Sequence, residues 1–287
     1  MSLLYLGVGR SLFIGQHPDQ EMHHHSTLQI TFSLSHRFDV RTHALPWTRV
    51  SGVAIDSNIE HQFKGFRGTG VSLHVVPEAR FTRHLDEGFL AGNELRLLDP
   101  QALAPYVRYF GRVFDEPREC SEVFLKCEGL IEDLTGKSGY RGVVDERVLA
   151  ALDRIESELP RRISLKLLAH HVCLSEDRFL HLFTQQLGLP LRPYILNQRI
   201  LRATTEVLTG RSITQAAVNA GFSDTAHFSR TFLRLTGVHP TVLKDYRGMV
   251  RISSCGSSRC IRPSQLDPAG SHCLSCILNR PLSTPQP

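Results

Sequence analysis

The chain has 287 residues, 41% of them apolar and 21% charged, which is enough for two ordinary domains and too apolar for a disordered polymer. No apolar run approaches the ~18 residues of a membrane span, and the opening MSLLYLGVGRSLFIGQ lacks a basic start and a small-residue cleavage site, so a cytoplasmic chain without a membrane partner is expected. Charge is uneven: residues 1–159 hold 17 Lys and Arg against 22 Asp and Glu, residues 160–250 hold 12 against 5, and residues 251–287 hold 4 against 1, so the basic back half is the end expected to meet a polyanion.

The first hundred residues carry strand patterns. LQITFSL, residues 28–34, alternates Leu28, Ile30, Phe32 and Leu34 against Gln29, Thr31 and Ser33, and TGVSLHVV, residues 69–76, alternates Val71, Leu73 and Val75. That period of two describes half-buried strands. FDVRT, VSGVAI and HQF lie between them, separated by turn residues, and the spacing predicts an antiparallel barrel or sandwich over residues 1–98.

Two stretches of this front region are rich in histidine. In EMHHHSTLQ, His23 and His25 are two apart and share a strand face, with Gln29 four further on; His61 follows in DSNIEHQF. The arrangement is similar to the two motifs of cupin barrels, in which three His and a carboxylate hold a metal with open positions. That resemblance, over residues 10–95, implies a pocket in which His23, His25, Gln29 and His61 contact a small effector or a metal. Gln29 stands at the carboxylate position, which weighs against metal, and no cofactor is required by the pattern.

From Asp99 the period changes. PYVRYFGRVF and SEVFLKCEGLIEDL space apolar residues by three and four, predicting two helices over 99–140 that pack between subunits or pass a signal onward. GKSGYRG, residues 136–142, reads as a linker. Short helices fill residues 144–250, with starts expected at Ser164, Ser175, Ser212 and either Ser223 or Asp224, and stops at Gly188, Gly210 and Gly237.

Those helices contain a repeat. LAHHVCLSEDRFLHLFTQQLG matches AAVNAGFSDTAHFSRTFLRLTG: Ala169 aligns with Ala217 at an offset of 48, and after one inserted residue Phe179 aligns with Phe228 and Phe183 with Phe232. Each copy is a short helix, a turn and a capped second helix, the helix-turn-helix pattern. The alanines let the helices cross closely, and the Phe pairs form the inner stripe. Gly221 makes the second turn; the first has Val172 and Cys173 there and is expected to manage without positive φ. With Phe inward, the opposite faces carry Asp177, Arg178, His181, Thr184 and Gln185 in the first copy and His227, Ser229, Arg230 and Arg234 in the second. Arg suits guanine edges or phosphates and Gln suits adenine, as a major-groove helix requires.

Residues 152–250, above all SITQAAVNAGFSD through HFSRTFLRLTGVHP with RILRATTEVLTG before them, resemble the DNA-binding domain of the AraC/XylS family of bacterial transcription regulators. Leu180 and His181 in the first copy, and Leu233 in the second, depart from the family's usual residues. The resemblance implies two helix-turn-helix units on a linking helix, double-stranded promoter DNA as partner, a homodimer, and RNA polymerase contact in an activator. The fold expected is α+β in two domains, a cupin-like antiparallel β-barrel with following helices and an all-α double helix-turn-helix. The function expected is non-enzymatic regulation of transcription; the competing class is a metal-dependent cupin enzyme tethered to DNA.

Seven cysteines, an odd number, pair poorly as disulfides, and Cys120, Cys127 and Cys173 fit helical patterns as small apolar residues. Residues 251–287 are rich in Ser, Pro and Gly, so a disordered tail is expected. Its Cys255, Cys260, Cys273 and Cys276 have the spacing of a zinc knuckle, the alternative for this segment.

Overall fold

A computed structural model describes residues 1–7, 9–76, 89–136 and 145–255. Among the described residues of the front region nine strands form: β1 (Ser2–Gly7), β2 (Arg10–Gly15), β3 (Leu28–Ser33), β4 (Phe38–Thr42), β5 (Thr48–Val50), β6 (Gly52–Ile55), β7 (His61–Lys64), β8 (Gly70–Val75) and β9 (Leu95–Leu97). A tenth, β10 (Val250–Ser254), comes from the other end of the chain. They make two sheets, one of seven strands ordered β10-β1-β2-β8-β3-β6-β9 and one of three ordered β5-β4-β7. The fold is mixed α+β, with the sheets at the front and the helical units at the back.

The alternation in β3 has a different meaning from the half-buried strand expected. Every residue of β3 is buried, because each face has a cover. Leu28, Ile30 and Phe32 belong to one core with Phe110 and Val113 of α1 (Pro100–Asp115) and Val123 and Phe124 of α2 (Cys120–Thr135). In register, Gln29 and Thr31 sit opposite His74 and Ser72 of β8 on one side and Ile55 and Val53 of β6 on the other. Val53 and Ile55 share a second core with Phe38, Val40 and Phe63 of the small sheet. The polar alternates of β3 therefore face the space between the sheets, where each must find a partner.

The antiparallel expectation fails at one edge. β10 pairs parallel with β1, Ser2 opposite Val250 and Leu6 opposite Ser254. Residues 251–254, expected to begin a disordered tail, are thus ordered by the sheet. Beyond them the Cys255 amide donates to Leu6 O, and Cys255 is disulfide-bonded to Cys120 at the start of α2, with Cα atoms 6.0 Å apart. This overturns two cysteine expectations. Cys120 is not a free apolar filler, and Cys255 has no thiolate to give a zinc ion; Cys260, Cys273 and Cys276 lie outside the described residues. Cys127 does behave as a buried apolar group, its thiol pushed up to about 12 by burial. The expected linker beyond Gly136 also lies outside the described residues. No described helix is long and apolar enough to cross a membrane.

Among the described residues six α-helices follow: α3 (Glu146–Glu158), α4 (Leu165–His171), α5 (Glu176–Leu187), α6 (Leu191–Leu208), α7 (Ile213–Asn219) and α8 (Thr225–Thr236). Ser164, Ser175, Ser212 and Asp224 cap α4, α5, α7 and α8, each accepting from a backbone amide three residues on. Such caps stabilise a helix by about 1 kcal/mol. The α4–α5 and α7–α8 pairs are the two helix-turn-helix units. Ala169, Phe179 and Phe183 join the large core that runs up from the sheets, whereas Ala217, Phe228 and Phe232 form a separate core with α6 and Leu243.

The two turns close alike. Cys173 N donates to His170 O and Leu174 N to Ala169 O; Gly221 N donates to Val218 O and Phe222 N to Ala217 O. The expectation of a first turn without positive φ is therefore wrong: Cys173 takes φ 55°, in the region Gly221 occupies at 86°. A β-carbon there is strained by about 1–2 kcal/mol. Cys173→Gly, at this exposed position, is expected to stabilise the chain by about 0.5–1 kcal/mol after the extra freedom of an unfolded glycine is deducted. Denaturant midpoints of the two proteins would test it, and a lower midpoint for the glycine variant would count against the turn geometry.

Candidate nucleic-acid interface and the histidine cluster between the sheets

In both units the inner stripe forces the opposite face outward. Phe179 and Phe183 are fully buried, with rings 5.6 Å apart, as are the rings of Phe228 and Phe232 within a few per cent. Asp177, Arg178, His181 and Gln185 are consequently exposed on α5, with Thr184 half-buried beside them. On α8, His227, Arg230 and Arg234 are exposed and Ser229 is half-buried. Neither Arg230 nor Arg234 forms an ion pair among the described contacts. Asp224, at the start of α8, accepts from the His227 amide at 2.7 Å, and that bond with one from Ser223 holds its carboxyl below the usual range. Its negative charge sits where the helix dipole favours it, leaving the outward basic groups free for an anion.

The second site lies between the sheets. His23 and His61 are joined by a pair of backbone bonds, His23 N to His61 O at 3.0 Å and His61 N to His23 O at 2.9 Å. His25 is two residues along, and its carbonyl accepts from Asn58 N at 2.7 Å where the turn before β7 reverses with φ 62° at Asn58. Among the described residues, His23, His25 and His61 form a group whose nitrogens lie within 4.8 Å of one another. All three are buried, as is Gln29. Each ring has its Nδ1 against a backbone carbonyl two residues away: Glu21 O at 2.9 Å, Thr27 O at 2.8 Å and Ile59 O at 2.8 Å. The Nε2 atoms of His25 and His61 lie 2.8 and 3.0 Å from Gln29 Oε1.

Gln29 begins a longer chain of bonds. Its Nε2 donates to Thr31 Oγ1 at 2.8 Å, Thr31 lies 2.9 Å from Ser72 Oγ, and Ser72 lies 2.8 Å from His17 Nε2, whose Nδ1 meets Gly15 O at 3.1 Å. The sequence drew out His23, His25, Gln29 and His61, and the structure brings all four together. It also adds His17, Thr31, Ser72 and His74, whose ring packs 4.8 Å from that of His25. The signal for Ser72 and His74 was present as the polar alternates of TGVSLHVV; His17 precedes any strand pattern and gave none.

Burial disfavours the charged form of these rings. It draws His17 and His23 down to about 4, and lowers His25, His61 and His74, the last two also through neighbouring histidines. For His17 this makes an acid-stability prediction. Unfolded, the ring titrates near the ordinary histidine value of about 6.5; folded, burial keeps it neutral down to about 4. Its contribution is therefore complete above pH 6.5 and is lost as pH falls towards 4, on the order of 2–3 kcal/mol. His17→Gln should lose less stability than the parent chain between pH 7 and pH 4.5 in thermal melts; equal losses would remove His17 as a cause.

The cluster touches the helical region directly. Glu21 N donates to Gly237 O at 2.7 Å, at the left-handed cap that ends α8. A β-carbon on Gly237 would lie 2.5 Å from His23 Nδ1 and 2.7 Å from Glu21 O, so only glycine fits. The same seam borders an open cleft of about 460 Å³ lined by Pro18, Asp19, Glu21, Gly237, His239 and Lys244 among others.

Residues 168–246 match the model of a helix-turn-helix domain. Over 100 residues, 34% of the chain, the sequence is 38% identical to the arabinose operon regulatory protein of Escherichia coli K12. The chain carries a helix-turn-helix domain. The match spans about a third of that relative, 34% of its length. The chain is also 24% identical over 228 residues to the probable transcriptional regulator LumQ of Photobacterium leiognathi, covering 76% of the chain and 90% of LumQ. Among solved structures, ToxT of Vibrio cholerae aligns with 84% of the chain and 98% of its own at 14% identity and a TM-score of 0.48.

Proposed function

We propose that the chain is a sequence-specific, one-component transcription regulator that binds double-stranded promoter DNA through α5 and α8 and senses a small effector between its front sheets. The observation that carries this reading is the duplicated unit. Two helices of the same construction bury their Phe pairs and present Arg178, Gln185, Arg230 and Arg234 on exposed faces, within a segment rich in positive charge. The regulatory relatives of this segment support it. α6, which joins the units, has 18 residues and so is about 27 Å long, a length suited to units addressing successive major grooves. A homodimer on repeated half-sites and contact with RNA polymerase in an activator complete the reading, with the chain working in the cytoplasm.

The test is selection of genomic fragments by the purified full-length chain at about 0.15 M salt, where nonspecific phosphate binding is already weak. Recovery of a few promoter fragments sharing spaced half-sites is the expected result. Uniform recovery of all duplexes would overturn sequence specificity.

A further inference from the structure

β10 belongs to two structures at once. Its backbone pairs parallel with β1 at the edge of the seven-stranded sheet. Its Val250 and Ile252 pack instead against the core that Ala217, Phe228 and Phe232 form in the second helix-turn-helix unit. Cys255, just past the strand, lies in the other core, the one shared by the sheets, α1, α2 and the first unit. A strand of five residues therefore spans the two cores, and the bond from Cys255 to Cys120 rivets its end.

The rivet is set in a firm part of the front region. Tyr5 of β1 donates through its hydroxyl to Arg118 O at 3.2 Å, two residues before Cys120, and Val123 and Phe124 on the next turn of α2 are fully buried. The second unit adds single hydrogen bonds to the same seam: Tyr246 donates through its hydroxyl to Gln16 O at 3.2 Å, and Glu21 N donates to Gly237 O at 2.7 Å. The disulfide joins residues 135 apart, with both helix-turn-helix units inside the loop it closes. Cross-links around loops of that length remove most conformational freedom from the chain between them. Here they tie the far end of the second unit back to the sheets.

The position of this bond suits exchange. Cys120 and Cys255 are only 5% and 7% exposed, so an attacking thiol reaches the sulfurs when β10 opens. β10 is an edge strand, paired on one side, and short edges are among the segments that open locally without global unfolding. In a reducing cytoplasm, where the chain is proposed to work, protein disulfides are mostly transient and redox-sensing rather than permanent staples.

We propose that the Cys120–Cys255 bond is a redox latch on the second helix-turn-helix unit. Oxidised, it clamps β10 across the two cores and holds α8 in one orientation against the sheets; reduced, it leaves β10 held by noncovalent pairing alone and frees the unit to turn about α6. The inference rests on the regulator reading and gives that regulator a redox input. Reduction takes two electrons and two protons from a dithiol: its first thiol attacks one sulfur and releases the other as a thiol, and its second thiol displaces the resulting mixed disulfide, leaving the reductant oxidised. Hydrogen peroxide restores the bond, one cysteine becoming a sulfenic acid with loss of water and the other thiol displacing a second water. DNA that requires one orientation of α8 must then bind the two forms unequally.

The test uses the full-length chain in two forms, one treated with hydrogen peroxide and one with dithiothreitol. Peptide maps should show one Cys120–Cys255 link within the chain in the first form and none in the second. Hydrogen exchange at the Cys255 amide, in β10 and in α8 should run about tenfold or more faster in the reduced form, with β3 and β8 unchanged. Affinity for a recovered promoter fragment should differ by about fivefold or more between the forms. Cys255→Ser should match the reduced form under both treatments; if it fails to fold, Cys120→Ser takes its place, and the two forms of the parent chain differ in no side chain but the cysteines. A link to another cysteine or between chains, equal exchange in the two forms, equal DNA affinity, or a redox response that persists in Cys255→Ser would each overturn the proposal. In all those cases specific DNA binding by either form leaves the regulator reading standing. Only failure of both forms to recover a specific fragment removes that reading too.

Discussion

Phe228→Ala is expected to destabilise the second helix-turn-helix unit by about 3–5 kcal/mol, the usual range for emptying a phenylalanine site in a closed core. Phe228 is completely buried, with Phe222 and Phe232 rings at 5.3 and 5.6 Å, and the neighbouring alanines of α7 are too short to collapse into the space. The loss should be local. This core is separate from the one that unites the sheets, α1, α2 and the first unit. Hydrogen exchange should therefore show α7 and α8 opening while β3 and β8 keep their protection. Equal loss in the strands would mean that the two cores unfold as one.

Replacing Arg230 and Arg234 together by Ala is expected to weaken DNA binding by about 2–6 kcal/mol, taking roughly 1–3 kcal/mol for each guanidinium that meets a base edge or phosphate. Both side chains are exposed on the face of α8 opposite Phe228 and Phe232, so the melting curve should hardly move. Binding measured against salt separates the roles. A slope reduced by about one per arginine, with equal weakening on all sequences, identifies phosphate contacts; relaxed preference at one base pair identifies base reading. A large fall in stability with affinity per folded molecule unchanged would show that α8 presents a different face.

The helical half was more legible than the sheets, for a physical reason. A helix writes its caps and its buried stripe within a dozen residues, so Ser164, Ser175, Ser212 and the paired phenylalanines could be read locally. Sheets are made by partners distant in sequence. The alternation of LQITFSL gave the strand correctly, but only the cover supplied by α1 and the small sheet reveals that Gln29 and Thr31 point into an enclosed space. The grouping of His23, His25 and His61 was visible as spacing. The chain of bonds that runs from Gln29 to His17 was not, because no local pattern ties His17 and Ser72 to Gln29. Cys173 shows the limit from the other side: residue preference alone assigned it an ordinary turn, and packing of the two helices imposed a left-handed one. β10 and the Cys120–Cys255 bond were hidden behind a composition that reads as tail.

The return of β10 to β1 orders events in the life of the chain. β1 is paired on one side by a strand that lies 248 residues later in the chain, Ser2 with Val250. Until Val250–Ser254 has been made, this side of β1 is an open edge, a row of free amides and carbonyls able to recruit another nascent copy. Truncation before Val250 would make that exposure permanent, so a front fragment expressed alone should aggregate through β1. Joining by strands so far apart also raises contact order, which places completion of the sheet late in folding, after the helices of the two helix-turn-helix units have formed.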